Sequence, residues 1–177
     1  MESAIVRLAG PLQSRENWDN ARCPIAGAID VVGARSAFLL LREAFYGTSR
    51  FDDFAERVGI SQPVAAARLR ELVEDGLLAR EPYREPGQRT RLEYRLTEKG
   101  REFFPVLAAL MQWGNRWVRP APLEFRHRGC GEPVHTELRC AQGHHVAAGD
   151  LDLVVTESQG AASTDSQQAG ETGKAIS

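Results

Sequence analysis

The sequence predicts a mainly α fold with one small β-hairpin, an α+β class. Three observations carry that expectation. From residue 23 onward, apolar residues recur at helical spacing in successive runs, and the runs are closed by Gly33, Gly47, Gly59 and Gly76. After Gly76 the period changes from helical to alternating, around a Pro86–Gly87 turn. A helical period then returns over residues 98–118 with many large apolar side chains.

Residues 1–22 read as an arm of mixed character. Pro24 suits the first position of a short helix, where no intrahelical donor is needed, and Gly33 ends it. In the second run Phe38, Leu41 and Phe45 fall at i, i+3 and i+7, which predicts a buried stripe. A short third helix turns Phe51, Phe54, Ala55 and Val58 inward and breaks at Gly59. Ser61 is a good N-cap for a fourth helix over 62–75, and Pro63 is tolerated in its first turn. Leu69, Ala65, Ala66, Leu72 and Val73 gather on its inward side. Its outward side begins with Pro63, Val64 and Ala67 and reaches Glu71 and Glu74 only near its end, with Arg68 and Arg70 on the flanks. A solvated face is normally charged throughout, so this small apolar beginning calls for a reason.

In the hairpin, Leu92, Tyr94 and Leu96 alternate with Arg91, Glu93 and Arg95, the pattern of a half-buried strand. Thr97 caps the long helix 98–118, and Pro105 is expected to bend it. That helix carries Phe103, Phe104, Leu107, Leu110, Met111, Trp113 and Trp117, more than one small domain covers, which predicts a helix–helix dimer seam alongside packing within the chain. Pro120 and Pro122 mark a boundary. A small segment over 123–155 holds all four histidines and two of the three cysteines. Residues 156–177 have no aromatic and almost nothing aliphatic to bury, and read as a disordered tail. No internal repeat is visible.

The 177 residues carry a net charge of −2, so any basic surface must be local. Three widely spaced cysteines do not form a disulfide framework. No apolar run approaches membrane-spanning length and no signal peptide opens the chain, so a cytoplasmic protein without membrane contact is expected.

A helix over 51–58, a three-residue turn at Gly59–Ile60–Ser61 and a helix over 62–75 have the proportions of a helix-turn-helix, and the hairpin that follows makes it a winged version. In that arrangement the second helix enters the major groove of double-stranded DNA. Val64 and Ala67, with Pro63, then let the backbone approach and can touch thymine methyl groups. Ser61 and Gln62 are placed to hydrogen-bond to bases or phosphate, and Arg68 and Arg70 to reach phosphates or guanine. Arg84, Arg89, Thr90 and Arg91 surround the hairpin tip and would lie along the backbone. Two alternatives stay open: a winged-helix protein-interaction module without DNA, and a zinc-dependent enzyme with Glu132 or Glu137 as base. Against the second, the chain has no His-Glu-x-x-His, phosphate loop, Gly-x-Ser-x-Gly or dinucleotide fingerprint, and no enzyme activity is expected.

Cys23–Pro24, "LLLREAFYG", "RFDDF", Gly59–Ile60, "RLRELVEDGLL", "RLEYRLTEKG" and "QWGNRW" occur in an order that resembles the HxlR-type (MarR-like) winged helix-turn-helix regulators, in their actinobacterial style, over residues 23–117. The resemblance implies a homodimeric, DNA-binding transcriptional regulator, often a repressor, on a palindromic operator. One departure is Ser36, where the family usually has a tryptophan; a missing bulky residue is expected to open space beside the second helix. Cys23 precedes the first helix, whose positive dipole end favours a thiolate, so it is a candidate sensor of oxidants or electrophiles, with an inert buried thiol as the alternative. A small-molecule effector is the other candidate for release.

In the His/Cys segment, His127-x2-Cys130 and Cys140-x3-His144 have the spacing of zinc-ligand pairs on two knuckle-like turns. The segment resembles the zinc-ribbon-like extension of actinobacterial relatives, whose second pair is usually Cys-x2-Cys. Here Gly143 stands at that last position. Either a neighbouring histidine has replaced the ligand or the site is a metal-free hairpin.

Overall fold

The computed structural model describes residues 5–14, 16, 18–84 and 89–156, and the glycines that punctuate the sequence lie at or just beyond the ends of its first four helices. These are α1 (Pro24–Val32), α2 (Arg35–Phe45), α3 (Phe51–Val58) and α4 (Gln62–Glu74). Strands β2 (Leu78–Tyr83) and β3 (Arg91–Leu96) follow the short N-terminal strand β1 (Arg7–Leu8) in number, and then come α5 (Glu98–Glu102), α6 (Phe104–Trp117) and β4 (Asp152–Leu153). The Pro86–Gly87 turn and the tail beyond Thr156 lie outside the described residues.

The chain divides into two units, one over residues 19–146 and one joining the residues up to 18 with those from 147 onward. This differs from the expected arm over 1–22 and separate segment over 123–155. The reason is a parallel β1–β4 ladder, Arg7 opposite Asp152 and Leu8 opposite Leu153, with Arg7 N and Ala9 N donating to Leu151 O and Leu153 O at 3.0 Å. The Arg7 guanidinium forks onto both Asp152 carboxylate oxygens at 2.5 Å, and that bond holds Asp152 below the usual carboxylate range. A parallel pairing over this sequence separation leaves no local signature in either segment.

In the larger unit, α2, α3 and α4 close over a core whose largest fully buried side chains are Phe54, Leu40, Leu41, Leu69, Leu72 and Leu78. The inward line of α4 runs through Ala65, Leu69 and Leu72 at i, i+4 and i+7. Ala66, expected inside, is therefore exposed, and Ala67, expected outside, is half-buried. Gly59 takes a left-handed conformation (φ 69°, ψ 40°) that turns the chain sharply from α3 to α4, with Ile60 N closing onto Ala55 O at 3.1 Å. The hairpin pairs Leu78 with Leu96 through Tyr83 with Arg91. Tyr94 packs edge-on against Phe54 with ring centroids 6.0 Å apart, and its N–H donates to Ser49 O at 2.8 Å, fixing the hairpin to the α2–α3 connection. Leu92 does not join that buried face; it stands 54% exposed opposite Pro82, beyond the reach of the core.

Thr97 caps α5 as expected, its hydroxyl accepting from Gly100 N at 3.0 Å. The 98–118 helix is interrupted at Phe103 rather than gently bent. Pro105 sits in the first turn of α6, where its lack of an N–H and its ring favour a fresh start. The inward half of α6 packs within the chain: Leu107 is buried, Phe103 meets Phe38 at 5.5 Å, and Phe104 meets Phe45 at 5.2 Å. The other half leaves Val106, Leu110, Trp113 and Trp117 exposed, and α1 likewise exposes Ile25 and Ile29. Among the described residues no single helix is long and apolar enough to cross a membrane.

Candidate nucleic-acid interface

The first turns of α4 present the residues the sequence singled out. Ser61 occupies the N-cap with extended backbone (φ −65°, ψ 150°), but its side chain makes no capping hydrogen bond, so the expected role as a hydroxyl cap is not realised. The helix instead begins with Pro63 in its first turn, which removes one orphan donor by having none. Ser61, Gln62, Pro63 and Val64 are all exposed. Val64 keeps 44% of its surface in solvent, a large fraction for a valine near the start of a packed helix. Ala66 extends this small apolar strip, although helical spacing alone places it on the core side.

The arginines are not free-standing. Arg68 hydrogen-bonds Glu71 one turn on at 2.5 Å, and Arg70 approaches Glu74 at 3.8 Å. Glu71 and Glu74, at the far end of the outward face, reach back to the flanking arginines through helical spacing at i+3 and i+4. Both pairs are solvent-exposed, so each is weak and exchangeable.

On the hairpin, Arg84, Arg89, Thr90 and Arg91 are exposed around a tip whose residues 85–88 are outside the described set. The arginines lower in the hairpin have other tasks. Arg95 bonds Glu93 at 2.7 Å and holds that carboxylate below its usual range, and Arg80 lies over the Tyr94 ring at 5.7 Å. Arg50, between α2 and α3, stacks over the Tyr83 ring at 5.3 Å and so stiffens the outer end of β2. Sequence spacing gives no sign of that contact, because Arg50 and Tyr83 meet only once the hairpin folds back.

Of the other candidates, Cys23 is a half-buried free thiol at the N-cap of α1. Ser36 lies half-buried in the first turn of α2, but the open groove beside that helix, about 200 Å³, is lined by Phe38, Leu39, Arg42, Tyr46, Leu110 and Met111 and not by Ser36. His127 Nδ1 lies 3.3 Å from Cys130 Sγ. Cys140 and His144 do not join them: among the described residues no three His, Cys, Asp or Glu side chains are gathered to hold a metal ion.

A three-helix core, a glycine-turned helix pair with an open second helix, and an arginine-bearing hairpin define the winged helix-turn-helix class of DNA-binding domain. Known proteins agree with that assignment. The HxlR-like helix-turn-helix profile matches residues 31–122, and the chain belongs to that family of transcriptional regulators. It is 43% identical over 128 residues to an uncharacterised HTH-type transcriptional regulator of Mycobacterium tuberculosis, covering 70% of this chain and 80% of that one. A corresponding regulator of Synechocystis is 35% identical over 103 residues, 58% of this chain and 75% of its own. Among solved structures, PA1607, a candidate transcription factor, superposes with a TM-score of 0.67 at 38% identity over 76% of this chain and 96% of its own. PA1374 of Pseudomonas aeruginosa gives 0.56 at 33% identity over 79% and 96%. The chain is thus a DNA-binding transcriptional regulator and not an enzyme.

Proposed function

We propose that the protein acts as a homodimeric repressor on a palindromic operator, with residues 61–70 of α4 reading the major groove and the hairpin arginines holding the backbone. The observation that carries this reading is the exposed small-residue start of α4, where Gln62, Pro63, Val64 and Ala66 leave a backbone face that a groove can receive. The exposed apolar faces of α1 and α6 support the dimer, because surface of that kind on one chain is covered by a partner. Two copies would present their α4 helices to half-sites about one helical turn apart.

The test is fluorescence anisotropy on DNA flanking the protein's own gene, across a salt series. Arg70→Ala and Arg91→Ala are each expected to weaken binding and to reduce the salt slope by about 1 for each phosphate left without its arginine. Binding indifferent to both substitutions and to salt would favour the protein-interaction module instead. Light scattering should give twice the chain mass of 19.5 kDa. Release through Cys23 or through a small ligand is the regulatory part of this reading. Cys23 lies at the start of the helix whose apolar face the dimer would use, so a modified thiol there would disturb it. Diamide should release DNA from the native protein and not from Cys23→Ser; an equal response in both excludes Cys23 as the sensor and leaves the ligand.

A further inference from the structure

The donor set of the C-terminal segment does not fit a closed zinc centre. Structural zinc takes four nitrogen or sulfur ligands that converge on one point. His127 and Cys130 form one pair, but the place of the last ligand is taken by Gly143, in a left-handed conformation (φ 83°), and the remaining donors are not gathered.

Each turn is closed by something else, and the device occurs twice. Glu124-Phe125-Arg126-His127 and Glu137-Leu138-Arg139-Cys140 repeat the order acid, apolar residue, arginine, candidate ligand, a repeat too short and divergent to stand out in the sequence. In the first turn Arg126 Nη1 donates to Gly131 O at 2.8 Å, while Nη2 bonds Glu124. In the second, Arg139 Nη1 donates to Gly143 O at 2.8 Å, while Nε and Nη2 bond Glu137 Oε1 at 2.9 and 2.6 Å. In both the acceptor is the carbonyl of a left-handed glycine, with φ 77° at Gly131 and 83° at Gly143. The guanidinium therefore ties the stem of the hairpin to its turn, the task a metal performs in a zinc knuckle. Backbone bonds complete each closure: His127 N to Glu132 O at 3.0 Å, and Cys140 N to His144 O at 3.1 Å.

The first turn is also fastened to α6. Gln112 Oε1 accepts from Thr136 N at 2.8 Å, and Asn115 Nδ2 donates to Leu123 O at 2.7 Å. The Phe125 ring lies 5.2 Å from Phe104, which itself lies 5.2 Å from Phe45, a ring ladder from the segment into α2. We propose that these two arginine clamps and the α6 attachments hold the C-terminal segment in its fold without any metal.

Hydrogen exchange on the full chain tests this, independently of what the protein binds. The readout is the protection of the amides of His127, Gly131, Val134, Cys140 and Val146, each hydrogen-bonded within the segment, with the Leu69–Leu72 amides as the internal reference. Protein incubated with excess zinc and desalted is expected to retain well under about 0.1 zinc per chain. Chelator, and the combined His127→Ala and Cys140→Ser substitutions, should leave protection unchanged. Arg126→Ala and Arg139→Ala should each speed exchange in their own turn by roughly threefold to tenfold, the loss of a charge-assisted hydrogen bond, with the reference amides unaffected. Stoichiometric zinc whose removal abolishes protection would overturn the proposal, as would arginine variants with native protection.

Discussion

Among the described glycines, Gly100 has the least room for a side chain. A Cβ built there would lie 2.1 Å from Leu77 O and 3.2 Å from Leu96 Cδ2. The side chain of Leu96 can swing away, but the Leu77 carbonyl cannot. It accepts from Thr97 N at 3.1 Å, its own residue's N–H is held by Leu72 O at 2.9 Å, and the Thr97 hydroxyl bonds the adjacent Gly76 O at 2.6 Å. Gly100→Ala must therefore push α5 away from the α4–β2 connection by roughly 1 Å, with overpacking strain and a weakened Thr97–Leu77 bond costing together about 2–4 kcal/mol. For a domain of this size that is a fall in Tm of roughly 8–15 °C. Thermal and urea unfolding followed by circular dichroism measure it at fixed protein concentration. Gly149→Ala is the control, since a Cβ there meets nothing within 4 Å. A Gly100→Ala protein within about 0.5 kcal/mol of the native one would refute the reasoning, because it would mean that the Leu77 carbonyl is free to move.

Leu72→Ala, at a position 1% exposed, should cost about 3–5 kcal/mol in urea unfolding, while Leu92→Ala, 54% exposed, should stay within about 0.5 kcal/mol. Glu71→Gln releases Arg68 from its on-helix partner and should tighten operator binding by about twofold to fivefold in anisotropy titrations, the value of one exposed ion pair. The β1–β4 ladder should depend on acid in a set direction: Arg7 lowers the Asp152 pKa in the folded chain, so its stabilising effect is full above the ordinary carboxylate value of 3.8 and is lost as pH falls through the lowered one. Exchange at the Arg7 and Ala9 amides should accordingly accelerate over that acid range beyond the intrinsic rate, and Asp152→Asn should show the faster rate at neutral pH.

The elements of the winged helix were legible because local rules decide them. Glycine at Gly59, Pro24 and Pro63 in first turns, and the Thr97 cap act on their own segments, and each works in the folded chain where the sequence placed it, Ser61 excepted. The errors fall where a partner distant in sequence decides. Ala66 and Ala67 exchange places because the inward line of α4 is set by α2 and α3. The 123–155 segment divides at residue 147 because the following strand finds Arg7–Leu8 at the other end of the chain. The candidate zinc ligands match a spacing, but spacing says nothing of convergence, and an arginine two residues after each glutamate looks in sequence like ordinary surface charge.

The acids on α4 gain a meaning from the same comparison. A recognition helix with bare arginines would bind any phosphate it meets, and most DNA in a cell is the wrong sequence. Here Arg68 and Arg70 already have carboxylate partners at 2.5 and 3.8 Å, and both pairs are exposed. If residues 61–70 read the groove as proposed, binding is an exchange in which each guanidinium leaves a carboxylate for a phosphate or a guanine edge. On a mismatched site, where Gln62, Val64 and Ala66 do not seat, the guanidiniums fall short of their targets and remain with Glu71 and Glu74. On a matched site the seated helix brings the phosphates within reach and the exchange proceeds. The carboxylates thus lower the attraction of α4 for phosphate by at most the worth of an exposed ion pair each, and a chain with net charge −2 leaves selection to the seating of the small-residue face.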